Sequence, residues 1–137
     1  MSCVRNPWAL LAAFVWLAAA APAVGQAPSP AEAAERDLEV YATAIGAFHI
    51  DGRCRVLAES QRREYASHLK IIRHALEQRG LPKDLLDEID ENTRTVAAKV
   101  ACDVATAEGV ERAGIMTMRL GRHLAEGMAK SRAPKSQ

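Results

Sequence analysis

Histidine and carboxylate side chains are where chemistry would show first. Glu64 and His68 stand four apart, His74 follows, His49 precedes Ile50 and Asp51, and His123 lies towards the C-terminus. On facing helices, imidazoles and carboxylates could hold a divalent cation. Carboxylate-bridged dimetal bundles use Glu-x-x-His, with Glu three residues before His, on two helices, and neither the Glu64 nor the His123 segment has that motif. Glu64 with His68 reads more simply as two neighbours one helical turn apart. His49, Glu64, His68 and His123 are thus the metal-ligand candidates, and no cofactor is expected. Met116, Met118 and Met128 near His123 offer soft donors, although methionines so spaced more often fill core gaps.

Nucleophilic catalysis has less to work with. Ser67 and His68 are adjacent, so on a helix they point apart and cannot act as nucleophile and base. The sequence has no glycine-rich phosphate loop, no Gly-x-Ser-x-Gly and no Cys-x-x-Cys. A non-enzymatic protein is the expectation.

The N-terminus suggests where the chain works. Arg5 precedes an apolar run from Trp8 to Ala21, which gives way to Pro22 and small residues. That is the order of a cleaved secretory signal, residues 1–25, ending after Ala23 or after Gly25. Cleavage after Gly25 leaves Gln26 as the mature start. An uncleaved anchor would need about 20 apolar residues, and Pro22 interrupts this run sooner. Only such an uncleaved leader would bring the chain to a membrane. Cys3 lies ahead of the run, the wrong side for lipid attachment. A periplasmic or secreted location follows, and there Cys54 and Cys102 read as a disulfide.

Loss of the leader also removes Arg5, so Lys+Arg drops by one from 18 and equals the 17 Asp+Glu. Neutral balance argues against a general nucleic-acid partner. Both Trp residues and Phe14 go as well, leaving Tyr41, Phe48 and Tyr65 as the aromatic rings. Aliphatic residues must build the core.

All these residues depend on helices to position them. Residues 26–30 read as a linker, and Ser29-Pro30-Ala31-Glu32 as a capped helix start. Leu38, Tyr41, Ile45 and Phe48 recur at three and four, predicting helix 1 over 30–50 with a stop at Asp51-Gly52. Helix 2 is predicted over 54–78, its inner face Cys54, Leu57, Ala58, Tyr65, Leu69, Ile72 and Leu76. Gly80-Leu81-Pro82 closes it. Helix 3 follows over 82–102 with Leu85, Ile89, Val96 and Val100, and helix 4 runs to about Lys130 with Val110, Ala113, Thr117, Leu120 and Leu124. No stretch alternates as a half-buried strand. The expectation is an all-α, four-helix bundle-like single domain over 31–130 with a flexible tail at 131–137.

On these boundaries Cys54 opens helix 2 and Cys102 closes helix 3, so a disulfide would lock an antiparallel helix 2/helix 3 hairpin at its open end. Arg-rich helix 2 and the acidic start of helix 3 favour that pairing weakly. Two cysteines flanking a helical hairpin in a small exported chain resemble the arrangement of periplasmic acid-stress chaperones. The resemblance lies in cysteine spacing alone and identifies no function. Gly114 and Gly121, seven apart on helix 4, mark either a close helix approach, within the bundle or in a homodimer, or a marginal helix. Arg53, Arg55, Arg62 and Arg63 read as a solvated face rather than a basic patch. The function expected is binding of a protein partner, as adaptor, inhibitor or stress protector, with a metal- or small-ligand-binding bundle as the alternative.

Overall fold

The computed structural model describes Gly25 and residues 27–134. The expected leader lies outside the described residues except for Gly25, as does Gln26. The order is α1 Pro30–Cys54, α2 Glu59–Gln78, α3 Lys83–Ala97 and α4 Val104–Arg132, with no strand among the described residues. Among these residues no helix is long and apolar enough to cross a membrane.

The start of α1 is the capping box read from sequence. Ser29 Oγ accepts from the Glu32 N–H, and Glu32 Oε2 accepts from the Ser29 N–H at 2.7 Å. The expected stop at Gly52 is not used. The helix continues to Cys54 and ends on Arg55, which takes the left-handed conformation at φ 57°. Asp103 caps α4, its carboxylate accepting from the Thr106 N–H at 2.8 Å. α3 stops five residues earlier than expected, closing in i→i−3 turns from Lys99 to Val96 and Val100 to Ala97. α4 outlasts the expected end by two residues, reaching Arg132.

α1 packs on all three other helices, and α2 packs along α4. Ala44 meets Tyr65 and Asp37 meets Arg79, so α1 and α2 are antiparallel. Tyr65 lies on Gly114 and His68 on Gly121, so α2 and α4 run the same way. Gly46 against Thr93 and Arg53 on the Ala98 carbonyl make α1 and α3 parallel. The core is Tyr41, Ala44, Ile45, Tyr65, Leu69, Ile72, Leu76 and Leu86.

The helix 2/helix 3 hairpin is therefore corrected. Cys54 is the last residue of α1, not the first of α2, and Cys102 lies beyond α3 in its link to α4. Their disulfide (S–S 2.00 Å, Cα–Cα 5.4 Å) ties the end of α1 to the start of α4. α2 and α3 meet near their shared turn, where Arg73 bonds Asp87 at 2.6 Å, but have no extended packing. The cause is that α4 satisfies the apolar face of α2. The feature that carried the chaperone resemblance accordingly takes a different form here. Closure of a 48-residue separation still restricts the unfolded chain by about 4 kcal/mol in the chain-entropy model.

The glycine row on α4 explains that packing. Gly114 lies against the Tyr65 ring, and a Cβ on Gly121 would stand 2.3 Å from His68 Nδ1. Both glycines are buried. Close approach thus occurs inside the chain, and the face suggested for a homodimer is already covered by α2. A Cβ on Gly127, one turn and a half further on, meets nothing. Gly→Ala normally gains a helix about 1 kcal/mol. Gly127→Ala should follow that rule and raise the denaturation midpoint, whereas Gly121→Ala should lower stability by about 1–3 kcal/mol through overpacking. Urea melts of the two variants check the opposite signs.

Candidate functional site

α3 leans on α1 without extended packing on α4, and this leaves a trough between α3 and α4 whose floor is α1. Small residues make the floor: Ala42, Thr43, Gly46 and Ala47 from α1, with Gly109 and Ala113 from α4. Val96 of α3 and Val100, three residues past its end, form one wall. The space is about 490 Å³, and none of its 14 lining residues is charged. In a chain that is 26% charged, such a stretch of surface stands out. Thr43 and Ala113 also line a second space of about 450 Å³, which carries the trough on past Val40, Met116 and Leu120, with Glu39 at that end. Val40, Val96 and Met116 are 42%, 64% and 70% exposed, so three large apolar side chains stand open to water along one groove.

Sequence reading placed Val96 and Val100 on the inner stripe of helix 3. The buried residues of that helix are instead Leu86 and Ala97, because α3 has one principal packing partner and its other apolar edge faces the trough. A signal was present: Gly109 and Ala113 continue the small-residue spacing of Ala42 and Gly46, and small residues admit close neighbours.

The metal-ligand candidates are dispersed. His49 on α1 bonds Asp90 on α3 through Nε2. Glu64 and His68 are the expected turn-apart neighbours, with 3.6 Å between Oε1 and Nε2. His68 is buried against Gly121, and its Nδ1 has no hydrogen-bond partner. His123 is exposed on α4. Among the described residues no group of three or more His, Cys, Asp or Glu is placed to hold a metal ion.

Two polar clusters escaped sequence reading, and both are architectural. Asp51 is fully buried. One carboxylate oxygen accepts from the Leu57 N–H at 2.8 Å, the other from Arg62 Nε at 2.7 Å, and Arg62 also donates to the Asp51 carbonyl. Arg62 is therefore a structural partner and not part of a solvated face. Arg53 reaches across to the Ala98 carbonyl and stays exposed. Tyr65 donates to the Ala44 carbonyl at 2.6 Å and receives Thr117 Oγ1 at 3.4 Å; burial pushes its phenol above the ordinary value. Asp51, Arg62 and Tyr65 are not among the groove lining, whereas Ala44 and Thr117 line its second space. Compared with protein-family models, characterised proteins and solved structures, the chain matches none.

Removing one member of a buried pair strands the other. Asp51→Asn keeps the shape but leaves Arg62 uncompensated, and should cost about 3–5 kcal/mol in chemical denaturation.

Acid should weaken the fold through two surface carboxylates. Lys83, then Arg73, hold Asp87 below its ordinary value, and the Thr106 N–H holds Asp103 below its own. A carboxyl whose folded value is depressed stabilises the fold above its unfolded value and loses that contribution as pH falls through the folded value. Thermal melts from neutrality to about pH 2.5 should hold steady down to the ordinary carboxylate range and then fall, with Asp103→Asn flattening part of the drop.

Proposed function

We propose that this chain is a small exported helical protein, periplasmic or secreted, that acts without catalysis by binding another protein in the α1/α3/α4 groove. The observation that carries the reading is the uncharged trough, flanked by Val40, Val96 and Met116. Grooves of this kind, apolar at the centre and polar at the rim, are where proteins bury a partner's anchor residues. The leader-like N-terminus and the Cys54–Cys102 disulfide support an oxidising compartment. Adaptor, inhibitor and stress-protective roles all need such a surface.

The test uses the full chain in the cell that makes it, with a photo-crosslinking residue at Val96 on the groove wall or at Lys70 on the outer face of α2. The expected result is a discrete protein adduct from position 96 alone, in the exported fraction, on a chain whose mass begins near Gln26. A cytoplasmic chain with its leader intact would overturn the export reading. Equal labelling from both positions, or a lipid or metal ion that survives dialysis in native mass spectrometry, would overturn the protein-binding one.

A further inference from the structure

Resting on the reading that the groove is the binding surface, we infer that its occupant is an amphipathic α-helix of a partner protein, about four turns long, which sets aliphatic side chains on the floor and a carboxylate against Arg112. The length comes from α4. From Thr106 to Leu120 that helix lines the trough throughout, and at 1.5 Å per residue this spans about 21 Å.

The floor argues for a helix over other shapes. Glycine, alanine and threonine leave room for a rod to approach at the 8–10 Å axial separation usual of packed helices. Among the described residues there is no strand, so no sheet edge exists to pair with an extended segment. α3 and α4 both lie on α1 without extended packing on one another, which leaves between them a slot over the first space, and α1 and α4 carry it on over the second.

Charge gives the occupant its polarity. Gly109, Arg112, Met116 and Arg119 follow at spacings of three and four, one row of α4. Gly109 and Met116 line the groove, and Arg112 and Arg119, which share their row, stand just outside that lining on the exposed edge of α4. Both are exposed, and neither has an ion-pair partner within the chain among the described residues. Glu39 is the charged residue that lines the second space, towards the Arg119 end of the row. Glu108, four residues before Arg112, makes no ion pair with it, and Arg112 at mid-row is the cation assigned to the carboxylate. The facing wall offers neutral Asn92. A second copy fits poorly, because Val40, Val96 and Met116 are themselves in the groove and two concave surfaces would meet.

The probes are two fluorescein-labelled 15-residue helical peptides with the same Leu/Ala stripe, one with Glu along its flank and one with Lys, titrated by anisotropy into the exported, disulfide-bonded protein. The Glu peptide should bind about tenfold more tightly. Arg112→Glu should reverse that preference, and Arg112→Lys should keep it. A Cβ on Gly109 meets nothing within 4 Å, so Gly109→Phe should leave the fold intact, fill the trough and weaken both peptides. Equal binding of the two peptides, or no response to Arg112→Glu, would overturn the inference. It is also overturned if oleate binds and the peptides do not, if a peptide of residues 8–21 displaces the Glu peptide, or if sedimentation shows a dimer that the peptides cannot dissociate. Should the peptides fail while the Val96 adduct persists, this inference falls and the protein-binding reading stands; loss of both removes that reading too.

Discussion

A carboxylate with no exposed surface fixes the geometry from which the other helices take their positions. Desolvating Asp51 is costly by itself, and the cost is offset because its two oxygens are taken by Arg62 and by the Leu57 N–H. Those two bonds span the link from α1 to α2, so they set both the turn and the residue at which α2 begins. The register of α2 then follows. Tyr65 reaches the Ala44 carbonyl, and His68 arrives opposite Gly121. One turn beyond Asp51, Cys54 reaches across to Cys102 and fixes the approach to α4. Within a dozen residues the chain thus determines how α1 relates to α2 by hydrogen bonds and to α4 by a covalent bond.

Helical periodicity exposed the faces but not the neighbours. The Ser29 cap, the Tyr41/Ile45 stripe and the Tyr65/Leu69/Ile72/Leu76 stripe were all legible, because each is a local pattern that burial enforces. Assigning Cys54 to helix 2 came from reading Gly52 as a stop. Glycine costs a helix interior only about 1 kcal/mol, and the Asp51 clamp with Arg55 in the left-handed region moves the end of α1 four residues on, from 50 to Cys54. From that shift came the mistaken hairpin. Asp51 had no sequence signature, since aspartate is ordinarily exposed and its burial depends on an arginine eleven residues away.

The groove was hidden for a related reason. An apolar stripe shows that a helix edge avoids water, and it is silent on whether that edge meets a helix already in the chain. Val96 and Val100 fit a core stripe as well as a groove wall. The glycines of α4 were ambiguous in the same way. Gly114 and Gly121 serve packing within the chain, while Gly109, five residues before Gly114, faces the trough.

An open groove is a stability problem for a domain of this size. Each apolar Å² left in water forgoes about 25 cal/mol, and a domain near 100 residues has only about 5–15 kcal/mol of net stability. Three rings, Tyr41, Phe48 and Tyr65, are all the aromatic bulk among the described residues, so the core cannot compensate by size. Phe48 stacks on Tyr65 with centroids 5.4 Å apart, concentrating that bulk on the α1/α2 side and away from the trough. What remains is constraint: a buried ion pair at one turn and a disulfide across to α4. Both act where α1 ends, near Ile50 and Thr106 of the groove lining. They tie α1 to α2 and to the start of α4 without occupying the space of the groove. A surface kept open by rigid supports loses less ordering entropy when a partner arrives than one that must first assemble.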